Sequence, residues 1–226
     1  MIIASVHKLH IEVDNGHKTI IVCKIFMKKP KRFTVIMIFI FIITSIIYTN
    51  IFVTKAFCSS DDKKEIIIKE IVQFLKDKKV KLSDSKLESM AITVYEESRL
   101  YDLDYRLVLA IIKVESNFRH NVTSRDGSWG LMQIKPSLAK FISKSTGLEF
   151  KNKKDLYEPN NNIRLGTYHI SKLMEDFENI HAALHAYNVG QKKARVRLNK
   201  ESEPNTPFTR RVLKEYQKNT AVLPEP

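Results

Sequence analysis

Apolar positions are distributed very unevenly along the chain. From Phe33 to Val53 it reads FTVIMIFIFIITSIIYTNIFV, 21 residues without a formal charge. A run of that length and character matches a single bilayer-spanning helix. Beyond residue 62 the pattern changes to a period near 3.6, which predicts amphipathic helices. Residues 63–78 place Ile67, Ile71, Phe74 and Leu75 on one face. Residues 83–99, capped by Ser83 or Asp84, align Leu87, Met90, Ala91 and Val94. Asp104 caps a helix over 105–118, whose body, Leu107 to Ile112, is apolar nearly all round and so is expected to be buried on most sides.

Pro136 reads as the first-turn proline of another helix that stops near Gly147. Asn160 is the expected cap of a long helix with Ile163, Gly166, Ile170, Leu173, Met174 and Phe177 inward. Further helices are expected near 179–188, 190–199 and 208–219, with room for a small hairpin at 127–134. The expected fold class is therefore mainly helical, preceded by one transmembrane helix. The expected organisation is a short cytoplasmic segment 1–32 (with Met27 an alternative start), a transmembrane or signal-anchor helix 33–53, a juxtamembrane linker and helix 54–82, a helical domain 83–220 and a tail 221–226.

Charge refines this picture. The 226-residue chain has 38 Lys+Arg against 25 Asp+Glu, a formal net charge of +13. Lys28, Lys29, Lys31 and Arg32 crowd the N-terminal side of the apolar run. The positive-inside rule then leaves the N-terminus in the cytoplasm and the rest outside, as a single-pass protein of the cell membrane. Residues 58–226 stay basic, with 30 basic against 23 acidic residues. Outside the cell that balance suits an anionic wall or lipid headgroups and argues against nucleic acid. The two cysteines, Cys23 and Cys58, cannot make a disulfide framework. Phe57 is bulky where lipoprotein signals place a small residue, so an uncleaved anchor is expected.

The most unusual placement is Glu115, at the end of the apolar helix after Ile111, Ile112 and Val114. Burial disfavours its charged form, and the helix C-terminus pushes the same way. Such a carboxyl can hold a proton near neutral pH and deliver it to a glycosidic oxygen. A solvent-facing Glu at a frayed helix end would carry the same residue type.

The surrounding sequence separates these alternatives. ESNFRHNVTSRDGSWGLMQIKP runs from Glu115 to Pro136, NIRLGTYHISKL from Asn162 to Leu173, and ALHAYNVG from Ala183 to Gly190. Together, in this order, they resemble the catalytic domain of the soluble lytic transglycosylase family, over about residues 90–220. The resemblance implies a lysozyme-like fold and cleavage of peptidoglycan glycan strands. It implies Glu115 as the single catalytic acid, with Ser116 supporting it. Ser124 matches a serine that approaches the acid. Gly130, Leu131, Met132 and Gln133 match the stretch lining the sugar cleft, although Leu131 fits plain core equally well. Tyr187 matches a residue that positions the acid through its hydroxyl, and Asn188 one that binds substrate or braces the loop. Two features depart from the family. Trp129 stands where a small residue is usual, and could add a stacking surface or a hydrophobic plug. Val189-Gly190-Gln191-Lys192 replaces a more rigid Ala-Gly-Pro-Gly stretch.

The implied reaction breaks the bond between N-acetylmuramic acid and N-acetylglucosamine without water and leaves 1,6-anhydro ends. A hydrolase would normally need a second carboxylate. Asp126, Glu149, Asp155 and Glu158 are the candidates, and nothing in the sequence places them at a cleft. A hydrolytic muramidase and a non-catalytic wall-binding module are the competing functions. His181 and His185 have the i, i+4 spacing of metal ligands but lack a third ligand or an intervening Glu. No metal and no cofactor are expected, and a monomer is favoured.

Overall fold

The computed structural model describes residues 32–199 and 204–226, with side chains between 32 and 61 described at 37 and 40–47 alone. The expected start at Met27 and the segment before residue 32 lie outside the described residues. The chain divides into two units, residues 1–58 and 59–226, with the division inside helix α1 (Arg32–Asp77).

In the first unit α1 carries exposed Met37, Ile40, Phe41, Ile42, Ile43, Ile46 and Ile47. Among the described residues no helix is long and apolar enough to cross a membrane. The expected transmembrane helix 33–53 is thus helical in backbone, but its role as an anchor is not established by the fold.

The second unit is mainly helical. Among its described residues, extended pairing is confined to two isolated bridges, Thr123 with Trp129 and Trp129 with Ile134, where a hairpin was expected. Within this unit, Ile67, Ile71, Phe74 and Leu75 of α1 point into the core, as their spacing requires. Helix α2 (Asp84–Leu100) buries Leu87, Met90, Ala91 and Val94. Ser83 is its N-cap residue but makes no side-chain capping bond.

Helix α3 (Tyr105–Ser116) is the centre of the domain, with Val108, Leu109, Ala110, Ile111 and Ile112 all fully buried. The Val, Leu and Ile side chains each contribute about 1.5–3 kcal/mol by leaving water. Asp104 caps it by accepting from the Arg106 backbone N–H at 2.8 Å, and its carboxylate also pairs with the Arg106 guanidinium and the Tyr216 hydroxyl. Burial alone would raise the Asp104 pKa, but these donors outweigh it and hold the carboxyl below its ordinary range. The helix ends at Ser116 rather than 118. Asn117 and Phe118 both take left-handed backbone conformations, at φ 52° and 60°. The reversal turns Phe118 back into the core, edge-on against Phe74. Glu115 consequently lies in the final turn.

Helix α4 (Pro136–Thr146) starts on Pro136 and stops at Gly147, which takes φ 76°. A 3-10 turn, Lys153–Tyr157, precedes helix α5 (Pro159–Phe177). The cap of α5 is Glu158, not Asn160, because Pro159 occupies the first helical position with its φ already set. Asn160 instead donates to the Ser89 hydroxyl at 2.7 Å. Helix α6 (Ile180–Val189) is capped by Asn179, which accepts from the N–H groups of His181 and Ala182. Gly190 (φ 87°) leads into α7 (Gln191–Leu198), and α8 (Pro207–Val222) packs along α3. Asn219 on α8 donates to the Arg106 carbonyl, reinforcing that contact.

Candidate active site

Glu115 is half-buried in the last turn of α3. Burial raises its pKa to about 7, and Arg211 of α8 opposes the shift through its positive charge. Ser116 beside it is buried, and its hydroxyl donates to the Ile112 carbonyl at 3.1 Å. Ser116 therefore closes the helix locally rather than facing a ligand.

Tyr187, near the end of α6, is close enough to Glu115 to sense its charge. Its hydroxyl is raised well above the ordinary phenol range, first by burial and then by Glu115. Its hydrogen bond goes elsewhere than expected: Tyr187 Oη donates to the Met132 carbonyl at 2.7 Å, not to Glu115. The ring is held between two others, His169 of α5 at 5.3 Å and Phe208 of α8 at 6.4 Å, the latter nearly parallel. Burial lowers the His169 pKa to about 4, so that ring is neutral at physiological pH. Asn188 is exposed one residue further along α6.

The segment 122–134 forms a tight loop. Ser124 Oγ accepts from the Ser128 N–H at 3.0 Å, which commits that hydroxyl to the loop itself. Trp129 and Ile134 exchange both backbone hydrogen bonds at 3.0 Å. Gly130 N–H donates to the Val122 carbonyl, and Gln133 Nε2 donates to the Gly130 carbonyl at 2.8 Å. Gly130 takes φ 77°, and a Cβ there would stand 2.1 Å from the Leu156 carbonyl oxygen, so only glycine fits. Gln133 adopts φ 51° without being glycine, a conformation that costs about 1 kcal/mol or more. Leu131 and Met132 side chains are fully buried, and Met132 packs where a side chain on Gly166 of α5 would collide with it. Leu131 and the Met132 thioether are thus core, and the Met132 backbone is an anchoring point for Tyr187.

One organising residue was not singled out from the sequence. Asn162 is fully buried on α5; its Oδ1 accepts from the Met132 N–H at 2.7 Å, and its Nδ2 donates to the carbonyls of Trp129 and Leu156, both at 2.9 Å. It heads the NIRLG segment, but local pattern carries no sign of these long-range bonds.

Three of the four alternative carboxylates are exposed, and the fourth, Asp155, is tied to backbone donors. Asp126 is exposed in the turn, and Glu149 is exposed and paired with Lys151. Asp155 accepts from the N–H groups of Lys151 and Asn152, which hold its carboxyl below the ordinary range. Glu149, Asp155 and Glu158 share a shallow hollow with Arg164 that does not include Glu115. His181 and His185 sit on α6, half-buried and buried respectively.

Comparison with known proteins adds an independent line. A transglycosylase of Enterobacteria phage PRD1 is 30% identical over 102 residues, covering 45% of this chain and 35% of that protein. Membrane-bound lytic murein transglycosylase E of Buchnera aphidicola subsp. Acyrthosiphon pisum is 32% identical over 109 residues, covering 47% and 48%. The chain thus spans less than half the length of these curated relatives. Among solved structures, an inactive mutant of the lytic transglycosylase Slt from Pseudomonas aeruginosa superposes with a TM-score of 0.55 at 23% identity, over 67% of this chain and 29% of that one. That likeness establishes a shared fold. Residues 93–207, half of the chain, match the Transglycosylase SLT domain, and the protein belongs to that family.

Proposed function

We propose that this protein is a peptidoglycan lytic transglycosylase with Glu115 as its single acid and base. The observation that carries the reading is the state of Glu115. It is half-buried in the final turn of the apolar helix α3, where burial raises its pKa to about 7 against the positive charge of Arg211. Glycosidases that hydrolyse with two carboxylates hold them about 5–5.5 Å apart when retaining and about 6.5–9.5 Å apart when inverting. Of the alternatives, Asp126, Glu149 and Glu158 are exposed, and Asp155 is tied to the backbone N–H groups of Lys151 and Asn152.

In the proposed reaction, protonated Glu115 donates its proton to the oxygen between N-acetylmuramic acid and N-acetylglucosamine. The C1–O bond breaks, and the 2-acetamido group of the substrate stabilises the developing positive charge. Glu115, now a carboxylate, takes the proton of the C6 hydroxyl as that oxygen bonds to C1. The products are a new 4-hydroxyl end and a 1,6-anhydro ring, with no water consumed. Arg211 keeps the carboxylate form accessible for the second half of the cycle. Trp129, Gly130, Met132 and Gln133, with Ser124 and Asn188, are assigned to the cleft, and Tyr187 to bracing it through Met132. Relatives named as lytic murein transglycosylases support the substrate class.

Mass spectrometry of murein digested in water enriched in oxygen-18 tests the reaction. Anhydro ends without label are expected. Labelled reducing ends would assign a muramidase, and no products a wall-binding module.

The reading extends to a membrane anchor at residues 33–53, with the domain on the wall side. Support comes from the exposed Met37, Ile40–Ile43, Ile46 and Ile47 and the basic cluster Lys28–Arg32. Protease added to wall-stripped intact cells should degrade the domain; protection until lysis would refute this topology.

A further inference from the structure

Trp129 and Tyr157 stand as a pair that joins the 122–134 loop to the 3-10 turn. Their ring centroids are 4.8 Å apart and their planes meet at 38°. Both residues are half-buried, so each ring rests on protein and leaves part of itself to solvent. Leaving two aromatic rings partly wet forgoes burial that the core could have used.

The pair is nevertheless held from several directions. Trp129 exchanges two backbone hydrogen bonds with Ile134, and its carbonyl accepts from Asn162 Nδ2. Tyr157 ends the 3-10 turn, directly after the fully buried Leu156, whose carbonyl accepts from the same Asn162 amide. The Tyr157 hydroxyl and Thr123 Oγ1 are 2.8 Å apart, a bond that fixes the ring's tilt. One buried amide thus ties together the backbones that carry both rings. Two rings fixed before a ligand arrives lose little freedom on binding it.

The neighbouring chemistry narrows the ligand. Thr123, which bonds the Tyr157 hydroxyl and pairs with Trp129, is exposed, as are Arg125 and Asp126 in the same loop, and Ser128, next to Trp129 in sequence, is half-buried. A small apolar face with a polar rim fits a pyranose ring, which has C–H bonds on its faces and hydroxyls around its edge. It does not fit an acyl chain, which needs a wider apolar surface. Trp129 is three residues from Met132, whose carbonyl holds Tyr187, and Tyr187 senses the Glu115 charge. The loop that carries Trp129 is therefore hydrogen-bonded to Tyr187, the residue that senses the Glu115 charge.

We infer that Trp129 and Tyr157 form one two-ring platform for an N-acetylhexosamine unit of the glycan strand, with Tyr157 as a specificity-determining residue. The inference rests on the lytic transglycosylase reading and adds to it where the strand is gripped. Tyr157 presents its ring to the sugar, and its hydroxyl serves to orient that ring through Thr123.

Trp129 is the chain's single tryptophan, so its emission reports the platform directly. The full chain carrying Glu115→Gln, purified in detergent, is titrated with the hexamer of N-acetylglucosamine. A saturable change in emission is expected. Tyr157→Ala should weaken the affinity about tenfold, whereas Tyr157→Phe should stay within about threefold because the ring remains. If Tyr157→Ala does not fold, Tyr157→Leu keeps apolar bulk without a flat face and should show the same tenfold loss. An unchanged affinity in Tyr157→Ala or Tyr157→Leu, or no emission change on titration, overturns the platform. The chain with Glu115 intact separates this from the reaction. Murein cleavage without any response of Trp129 refutes the platform alone. A saturable response without cleavage supports the platform and refutes the lytic reading.

Discussion

The Tyr187 hydroxyl donates a 2.7 Å hydrogen bond to the Met132 carbonyl and so joins the end of α6 to the loop that follows Trp129. Met132 N–H is held in turn by Asn162 of α5. Two polar side chains from two helices therefore fix one peptide segment from both of its sides. Tyr187→Phe keeps the ring between His169 and Phe208 and removes only the bond. It should cost about 1 kcal/mol of stability, with the carbonyl losing its partner. Murein cleavage should fall further than stability does, because the loop can then move relative to Glu115. Denaturant unfolding and a cleavage assay on the same sample check both.

Asn162→Ala should be far more damaging. It leaves the Met132 N–H and the Trp129 and Leu156 carbonyls without their side-chain partner inside the fold. The Trp129 carbonyl keeps the Ile134 N–H, but the Met132 N–H and the Leu156 carbonyl lose this partner; a loss of about 2 kcal/mol or more is expected, since orphaned buried groups cost about 1–3 kcal/mol each. Urea unfolding measures it. A loss below about 1 kcal/mol would mean that the loop does not depend on this amide.

Glu115 gives stability a defined pH dependence. Its folded pKa, about 7, lies above the ordinary carboxyl value of 4.5. Below 4.5 the carboxyl is protonated in both states and has no effect. As pH rises from 4.5 to 7 the unfolded chain ionises first, so the folded state loses up to about 3 kcal/mol. Glu115→Gln should remove this loss and be the more stable protein at pH 8. Thermal melts of both proteins from pH 4 to 8 test the sign.

The same group predicts the activity profile. The proton donor is the acid form, so kcat/KM, which reports the free enzyme, should fall as pH rises through about 7. Above pH 4 His169 is neutral and contributes no titration of its own near the site. A profile flat between pH 5 and 9 would place the acid elsewhere.

Much of the helical domain is legible in the sequence because its determinants are local. The stripe Ile67, Ile71, Phe74, Leu75 and the all-round apolar body of α3 have the period of a helix, and they bury as that period demands. Pro136 and Gly147 mark a helix start and stop by backbone chemistry alone. What escaped depends on contacts far along the chain. Phe118 takes a left-handed conformation that no aromatic residue favours, and its burial against Phe74 compensates for it. That ends α3 before the periodicity does. The Asn162 bonds span 30 residues or more to Met132 and Trp129, so nothing near residue 162 announces them. The Tyr187 hydroxyl was expected at Glu115, but the Met132 carbonyl, brought near by the fold, takes its single O–H. Glu115 itself was visible, since a carboxyl closing an apolar helix stands out in the linear pattern.

Counting 1,6-anhydro ends released from murein by folded Glu115→Gln tests the central claim most directly. Glutamine keeps the size of the side chain but can neither give nor take the proton. General acid–base assistance is worth about two to four orders of magnitude in rate, so the count should fall at least that far. Asp126→Asn, Glu149→Gln, Asp155→Asn and Glu158→Gln should each retain most of the activity, because the C6 hydroxyl takes the place of a positioned water. If one of these four, in a folded protein, loses as much as Glu115→Gln, or if Glu115→Gln still releases anhydro ends at the native rate, the single-acid mechanism is contradicted.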